Sequence, residues 1–235
     1  MKPAVFIVLL SAVTGCAKKE ISAPPDAGYD YYPLAIGRFS IFETDSVVYQ
    51  EIPKDTIHYR YLIKEVLSDT FTDTEGRTAW RMERYIKHQT TGSSFDSLPW
   101  TIKDVWMVNA DKFKVQVVEE NVRRTKLIFP VANGRRWNGN ASNSEPASDC
   151  FYESAGQPDQ VGQTKYDQAV RVVRRDFRTL ISYELECEKF ARGKGMVYRE
   201  YRELFSNNIV SQLSVEQRIE KGVVFTQTLV ASGYE

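Results

Sequence analysis

At 235 residues the chain is long enough for one well-filled core and short for two, so a single domain is the default. Lys plus Arg and Asp plus Glu both number 31, which leaves no basic excess to neutralise phosphates and sets nucleic acid aside as a partner. The 13 Tyr, 12 Phe and 4 Trp suit pleated, half-buried surfaces and turn the expectation towards sheet.

The chain opens on a leader. Lys2 gives a positive start, Ala4 to Ala12 is apolar, and Val13, Thr14 and Gly15 are modest in size before Cys16. The run is well short of the roughly 20 apolar residues of a spanning helix, and Lys18, Lys19 and Glu20 follow at once. Leu10-Ser11-Ala12-Val13-Thr14-Gly15-Cys16 resembles the bacterial lipobox. The resemblance implies that residues 1–15 are a signal peptide and that Cys16 is lipidated and begins the mature chain. A cysteine suits that role because its thiol becomes a thioether to diacylglycerol. Each buried methylene then adds about 0.8 kcal/mol of membrane affinity. An ordinary cleaved signal peptide is the alternative.

From Ala17 to Asp30 the sequence AKKEISAPPDAGYD is polar, broken by Pro24-Pro25 and without an apolar period, so residues 16–30 read as an anchor and tether. Fully extended, this segment reaches roughly 45 Å. Lys18-Lys19-Glu20 partly resembles the sorting signals of surface-exposed lipoproteins.

Residues 31–235 then read as one β-rich domain. In Ile57 to Val66, Ile57, Tyr59, Tyr61 and Ile63 alternate with His58, Arg60, Leu62 and Lys64, a period of two. Strand-like content recurs over Gly37 to Glu51, Thr78 to Gln89, Thr101 to Asn109, Phe113 to Glu119, Arg124 to Phe129, Val170 to Val173 and Gly222 to Val230. Leu180 to Phe205 reads as a hairpin turning at ARGKG. Helical signals are sparse. The fold class expected is mainly β, a single antiparallel sheet strongly curled or packed on itself as a half-barrel or sandwich, with few helices.

Tyr32-Pro33-Leu34-Ala35-Ile36-Gly37-Arg38-Phe39 is echoed by Phe129-Pro130-Val131-Ala132-Asn133-Gly134-Arg135-Arg136-Trp137, which suggests two structural halves starting near residues 32 and 129. Pro and Gly are common strand punctuation, so local convergence explains the echo equally well.

YYPLAIGRFSIFETDSVVY after the tether, FPVANGRRWNGN in the middle and FARGKGMVYREY near the end resemble a group of uncharacterised, β-rich lipoproteins of Bacteroidetes. The likeness spans most of the mature chain. It implies a curled antiparallel sheet, loosely comparable to periplasmic lipid carriers, and it implies no activity.

Residues able to carry chemistry are few. His58 and His88 are the only histidines, no H-E-x-x-H or G-x-S-x-G pattern occurs, and no metal site or cofactor is expected. Cys150 and Cys187 would pair in an oxidising envelope, or stand as two buried thiols. Glu184, Glu186 and Glu188 share a strand face that could bind calcium; a solvated row opposed by Arg199 and Arg202 is the commoner arrangement. Arg171, Arg174, Arg175 and Arg178 suit an anion or a paired face. Arg135, Arg136 and Trp137 could stack on a sugar or grip an anionic headgroup, while the echo with Phe39 would turn Trp137 inward.

These readings point to a non-enzymatic lipoprotein of the bacterial cell envelope, lipid-anchored at the outer membrane and facing the periplasm or the cell surface. Its partner would be a lipid-like or glycan ligand or an envelope protein. A structural accessory subunit of an envelope complex and an envelope hydrolase are the alternatives.

Overall fold

The period of two that marks the sequence persists from Arg38 to Tyr234 as twelve strands. The computed structural model describes residues 26–89, 94–210 and 212–235. In chain order the strands are β1 (Arg38–Gln50), β2 (Asp55–Thr72), β3 (Thr78–His88), β4 (Thr101–Ala110), β5 (Lys114–Glu119), β6 (Val122–Ile128), β7 (Arg136–Asn138), β8 (Asp149–Val161), β9 (Thr164–Arg178), β10 (Ser182–Ala191), β11 (Gly195–Phe205) and β12 (Lys221–Tyr234). Helix is confined, among the described residues, to single 3-10 turns at Tyr29–Tyr31, Phe95–Ser97 and Val215–Gln217, so none is long and apolar enough to cross a membrane.

All the strands form one antiparallel sheet in the order β6-β5-β4-β3-β2-β1-β12-β11-β10-β9-β8-β7. Each strand lies beside its neighbour in sequence, except that β12 returns to pair with β1, Arg38 opposite Tyr234, and β6 is not laddered to β7. The sheet is thus two six-strand meanders joined at β1 and β12. Each meander follows one of the echoed segments, and in both the glycine before the first strand is left-handed, φ 79° at Gly37 and 71° at Gly134.

The curl brings β6 and β7 together and nearly closes a barrel. Thr125 N donates to Gly139 O at 2.9 Å. Side chains satisfy other edge groups: Trp137 Nε1 donates to Thr125 O at 3.1 Å and Asn143 Nδ2 to Arg123 O at 2.7 Å. The Tyr152 hydroxyl accepts from Ile128 N and donates to Ile128 O, both at 2.7 Å. An unsatisfied edge would invite pairing with another chain, and these bonds close it. Beyond β7, the edge of β8 carries left-handed Ser154 and Gly156 and then Pro158, which interrupt a ladder.

Inside, Leu67, Met82, Trp106, Val108, Val115, Val117 and Leu127 of the first meander pack against Tyr152, Val170, Val172 and Phe190 of the second, with Tyr31 between them. On the outer wall Tyr183, Leu185 and Leu204 are covered by Val215 of the segment between β11 and β12. Arg218 donates to the carbonyls of Leu180, Ser206, Asn208 and Leu213 and so holds that segment down.

The expected strands are all present, and β2, β9 and β12 run longer than their apolar alternation. β7 and β8 were not expected: β8 reads DCFYESAGQPDQV, a polar edge strand whose pairing comes from its neighbour β9 rather than from its own alternation. Contacts with the barrel also begin before the expected domain start at Tyr31. Asp26 pairs with Arg192 at 2.6 Å and Ala27 O accepts from Val131 N at 3.0 Å. The leader, Cys16 and the tether up to residue 25 lie outside the described residues.

Of the two arrangements expected for Cys150 and Cys187, the structure has the two buried thiols. Both are free and buried. Phe151 and Cys187 both stand opposite Val173, so Cys150 lies on the other face, two strands away. Two strand spacings are about 9.6 Å, beyond the 7 Å or so a disulfide tolerates.

Candidate functional site: a buried ion cluster inside the barrel

Side chains alternate across a strand, so the row of Glu184, Glu186 and Glu188 faces one side of β10 throughout. That side is the barrel interior, which corrects the expectation of a solvated row. Glu188 has no exposed surface, and Glu184 and Glu186 are half-buried. The apolar alternate, Tyr183 and Leu185, faces outward beneath Val215. Of the two arginines expected opposite the row, Arg199 does stand opposite Glu188, whereas Arg202 stands opposite Leu185 on the other face.

Five charged groups from five strands meet around Glu188. Lys126 Nζ donates to Glu188 Oε1 at 2.7 Å and also pairs with Glu119. Arg174 Nη2 reaches Glu188 Oε2 at 3.1 Å, and Arg199 bridges Glu119 at 3.3 Å and Glu188 at 3.5 Å. Glu186 Oε1 lies 3.9 Å from Arg174 Nε, so three cations face three carboxylates.

Two of the cations reach the interior because the register slips. Along β5 and β6 the partners pass from Val115↔Leu127 to Gln116↔Thr125, leaving Lys126 as the extra residue of a bulge. Along β10 and β9 they pass from Glu186↔Arg175 to Cys187↔Val173, leaving out Arg174. A bulge re-aims one side chain without disturbing the rest of the ladder.

The charges hold one another ionised. Burial alone would raise the Glu119 carboxyl, but Lys126 and Arg199 outweigh it and hold it at about 2. Burial opposes ionisation of Glu188 too, and Lys126, Arg174 and Arg199 keep it well below the usual carboxylate range. Burial first, and then the charges of Glu65, Glu119 and Glu188, push the Tyr32 phenol well up. Beside this cluster Arg84 bridges Glu65 at 3.0 Å and Asp104 at 3.1 Å, with its guanidinium 3.5 Å above the Trp106 ring.

Little space remains. A cavity of about 50 Å³ lies between Tyr32, Arg38, Glu65 and Met196, and one of about 30 Å³ between Tyr32, Trp106, Glu119, Lys126 and Arg199. Each suits a few waters at most. Trp106 Nε1, buried without a protein partner, lies beside the smaller one. Neither of these two cavities holds a lipid.

The outer wall offers more room. Where the β8–β9 hairpin meets β10 and β11, a groove of about 430 Å³ is lined by Gln160, Arg171, Lys189, Tyr198 and Glu200, with Cys187 on its floor. Burial raises the Cys187 thiol against the pull of Arg171, which keeps it protonated and poorly nucleophilic. Burial likewise raises the Tyr198 phenol, with Glu200 adding to it, so the hydroxyl stays a donor.

The remaining sequence candidates are dispersed. Trp137 packs at a tilt against Tyr152, ring centroids 4.7 Å apart, and serves the seam. Arg135 donates to Pro130 O at 2.6 Å, and Arg136 pairs with Asp149 at 2.6 Å over the Phe151 ring. These three do not converge on one ligand position. Arg171, Arg174, Arg175 and Arg178 are each paired, with Glu153, Glu188, Glu184 and Glu216 in turn. His58 and His88 are exposed strand residues. Among the described residues no group of three His, Cys, Asp or Glu side chains is placed to hold a metal ion. Sequence reading missed Lys126 and Glu119 altogether, since nothing in a period of two reveals a bulge.

Comparison with protein-family models, curated proteins and solved structures gave no match.

Proposed function

We propose that the chain is a lipid-anchored, non-enzymatic lipoprotein of the bacterial envelope that binds a polar, glycan-class ligand on the outer wall of its barrel. The contrast in space carries the reading: about 30 and 50 Å³ inside, against about 430 Å³ in the groove on β8 to β11. Ligand pockets generally need some 300 Å³ or more, with a few placed polar groups. Gln160, Arg171, Lys189, Tyr198 and Glu200 offer donors and acceptors suited to hydroxyl groups. Arg171 is steadied by Glu153, and Lys189 by Asp159 at 2.8 Å. The anchor follows from the lipobox resemblance at Cys16.

A screen of envelope oligosaccharides against the intact protein tests this reading. The expected result is binding that Tyr198→Ala weakens at least tenfold and that Phe177→Ala, in an exposed residue outside the groove, leaves unchanged. Binding insensitive to Tyr198→Ala would move the site elsewhere.

A further inference from the structure

The N-terminal segment enters the structure at one end of the barrel and closes it. Tyr31 is buried there, Gly193 N donates to Asp30 O at 2.8 Å, and Glu235 N donates to Gly37 O at 2.9 Å. Around this entry four large apolar side chains are exposed among charged ones: Tyr29 is 52% exposed, Ile36 57%, Phe113 62% and Tyr234 63%. They form two pairs flanking the segment. The Tyr29 hydroxyl donates to Lys112 O at 3.3 Å, next to Phe113. Ile36 adjoins Gly37, which is bonded to Glu235 beside Tyr234. A cation accompanies each pair, with Lys112 Nζ 5.0 Å from the Phe113 ring and the Arg38 guanidinium 5.9 Å from the Tyr234 ring.

We propose that this end of the barrel rests on the bilayer, with Tyr29, Ile36, Phe113 and Tyr234 entering the headgroup region. The inference rests on the lipid-anchored reading above. Aromatic rings with lysine or arginine beside them suit that layer, where one part of a side chain is apolar and the other wet. The position of the chain entry selects the bilayer as the occupant. Asp26 is the tenth residue after Cys16, a reach of at most about 35 Å. Phe177, near the end of β9, and Leu180 and Ile209, on loops, are exposed at the far end of the strands; β1, at 13 residues, is about 43 Å long, so the tether would be fully drawn out before they touched lipid. Nearby carboxylates are engaged: Asp26 and Asp30 with Arg192, Glu235 with Lys64. Paired in this way, they do not oppose approach to an anionic surface.

The test places a nitroxide at Ile36→Cys or Phe113→Cys, and at Leu180→Cys or Ile209→Cys as controls, in the full chain processed in cells and reconstituted in phosphatidylethanolamine–phosphatidylglycerol vesicles. Cys150 and Cys187 are buried and stay unlabelled in the folded protein. Collisions with oxygen should exceed collisions with a water-soluble nickel chelate several-fold at 36 and 113, and the order should reverse at 180 and 209. The intact mass of the same sample reports acylation of Cys16. An acylated chain with 36 and 113 fully in water overturns the orientation alone, whereas an unacylated Cys16 overturns the anchor and the orientation with it.

Discussion

Lys126 Nζ and Glu188 Oε1 stand 2.7 Å apart, and this contact ties β6, the last strand of the first meander, to β10 through the inside of the barrel. The hydrogen-bonded ladder alone leaves β6 and β7 as open ends. The ion cluster bridges the two meanders at the level where the apolar core gives way to charge.

Removing one partner from such a cluster strands the others. Glu188→Gln leaves Lys126, Arg174 and Arg199 with too few carboxylates in a buried place, and the expected loss is about 3–5 kcal/mol. The double variant Lys126→Met with Glu188→Gln should lose less than the sum of the single changes. Urea denaturation of the four proteins measures both; strict additivity would mean that the pair is not coupled.

Acid should open the barrel. The Glu119 carboxyl is held at about 2 against an ordinary 4.5, so its contribution is complete above pH 4.5 and is lost as the pH falls towards 2. Glu188 is depressed in the same direction and adds to the effect. Urea midpoints between pH 6 and pH 2 should fall mainly below pH 4.5, and Glu119→Gln should flatten that fall. Midpoints independent of pH across this range would contradict the assignment.

Closure at the seam rests on single side chains. Tyr152→Phe removes both bonds to Ile128 and, with the ring still packed, should cost about 1–3 kcal/mol. Hydrogen exchange should accelerate at the Ile128 amide far more than at amides within the β1–β12 ladder. Equal protection before and after the change would show that the seam does not depend on the phenol.

The cysteines give a direct chemical check. Cys150 and Cys187 are free and buried, so a maleimide should modify both quickly in denaturant and slowly in the folded protein. A mass two hydrogens light, with no reactive thiol at either position, would contradict the strand order that puts β9 between them.

Much of the fold was legible because a period of two is a local signal. β1, β3, β4, β5 and the β10–β11 hairpin lie within a residue or two of their apolar alternation. β8 was not, because Ser154, Gly156 and Pro158 give it loop chemistry and its pairing is supplied by β9. The ion cluster was half legible: the glutamate row and the Arg199 partner are visible in the hairpin, but not which face is the inside. That depends on how the whole sheet curls and on bulges at Lys126 and Arg174, neither of which a short window of sequence records.

The barrel is filled with its own charged and apolar side chains, so the proposed ligand would be held outside. Native mass spectrometry of the intact protein, released gently from membranes, tests this most directly. The predicted spectrum shows the chain alone or with a polar, sugar-sized adduct that Tyr198→Ala removes. A reproducible lipid-sized adduct, retained in Tyr198→Ala and additional to any acyl group on Cys16, would contradict it and place a ligand inside the barrel.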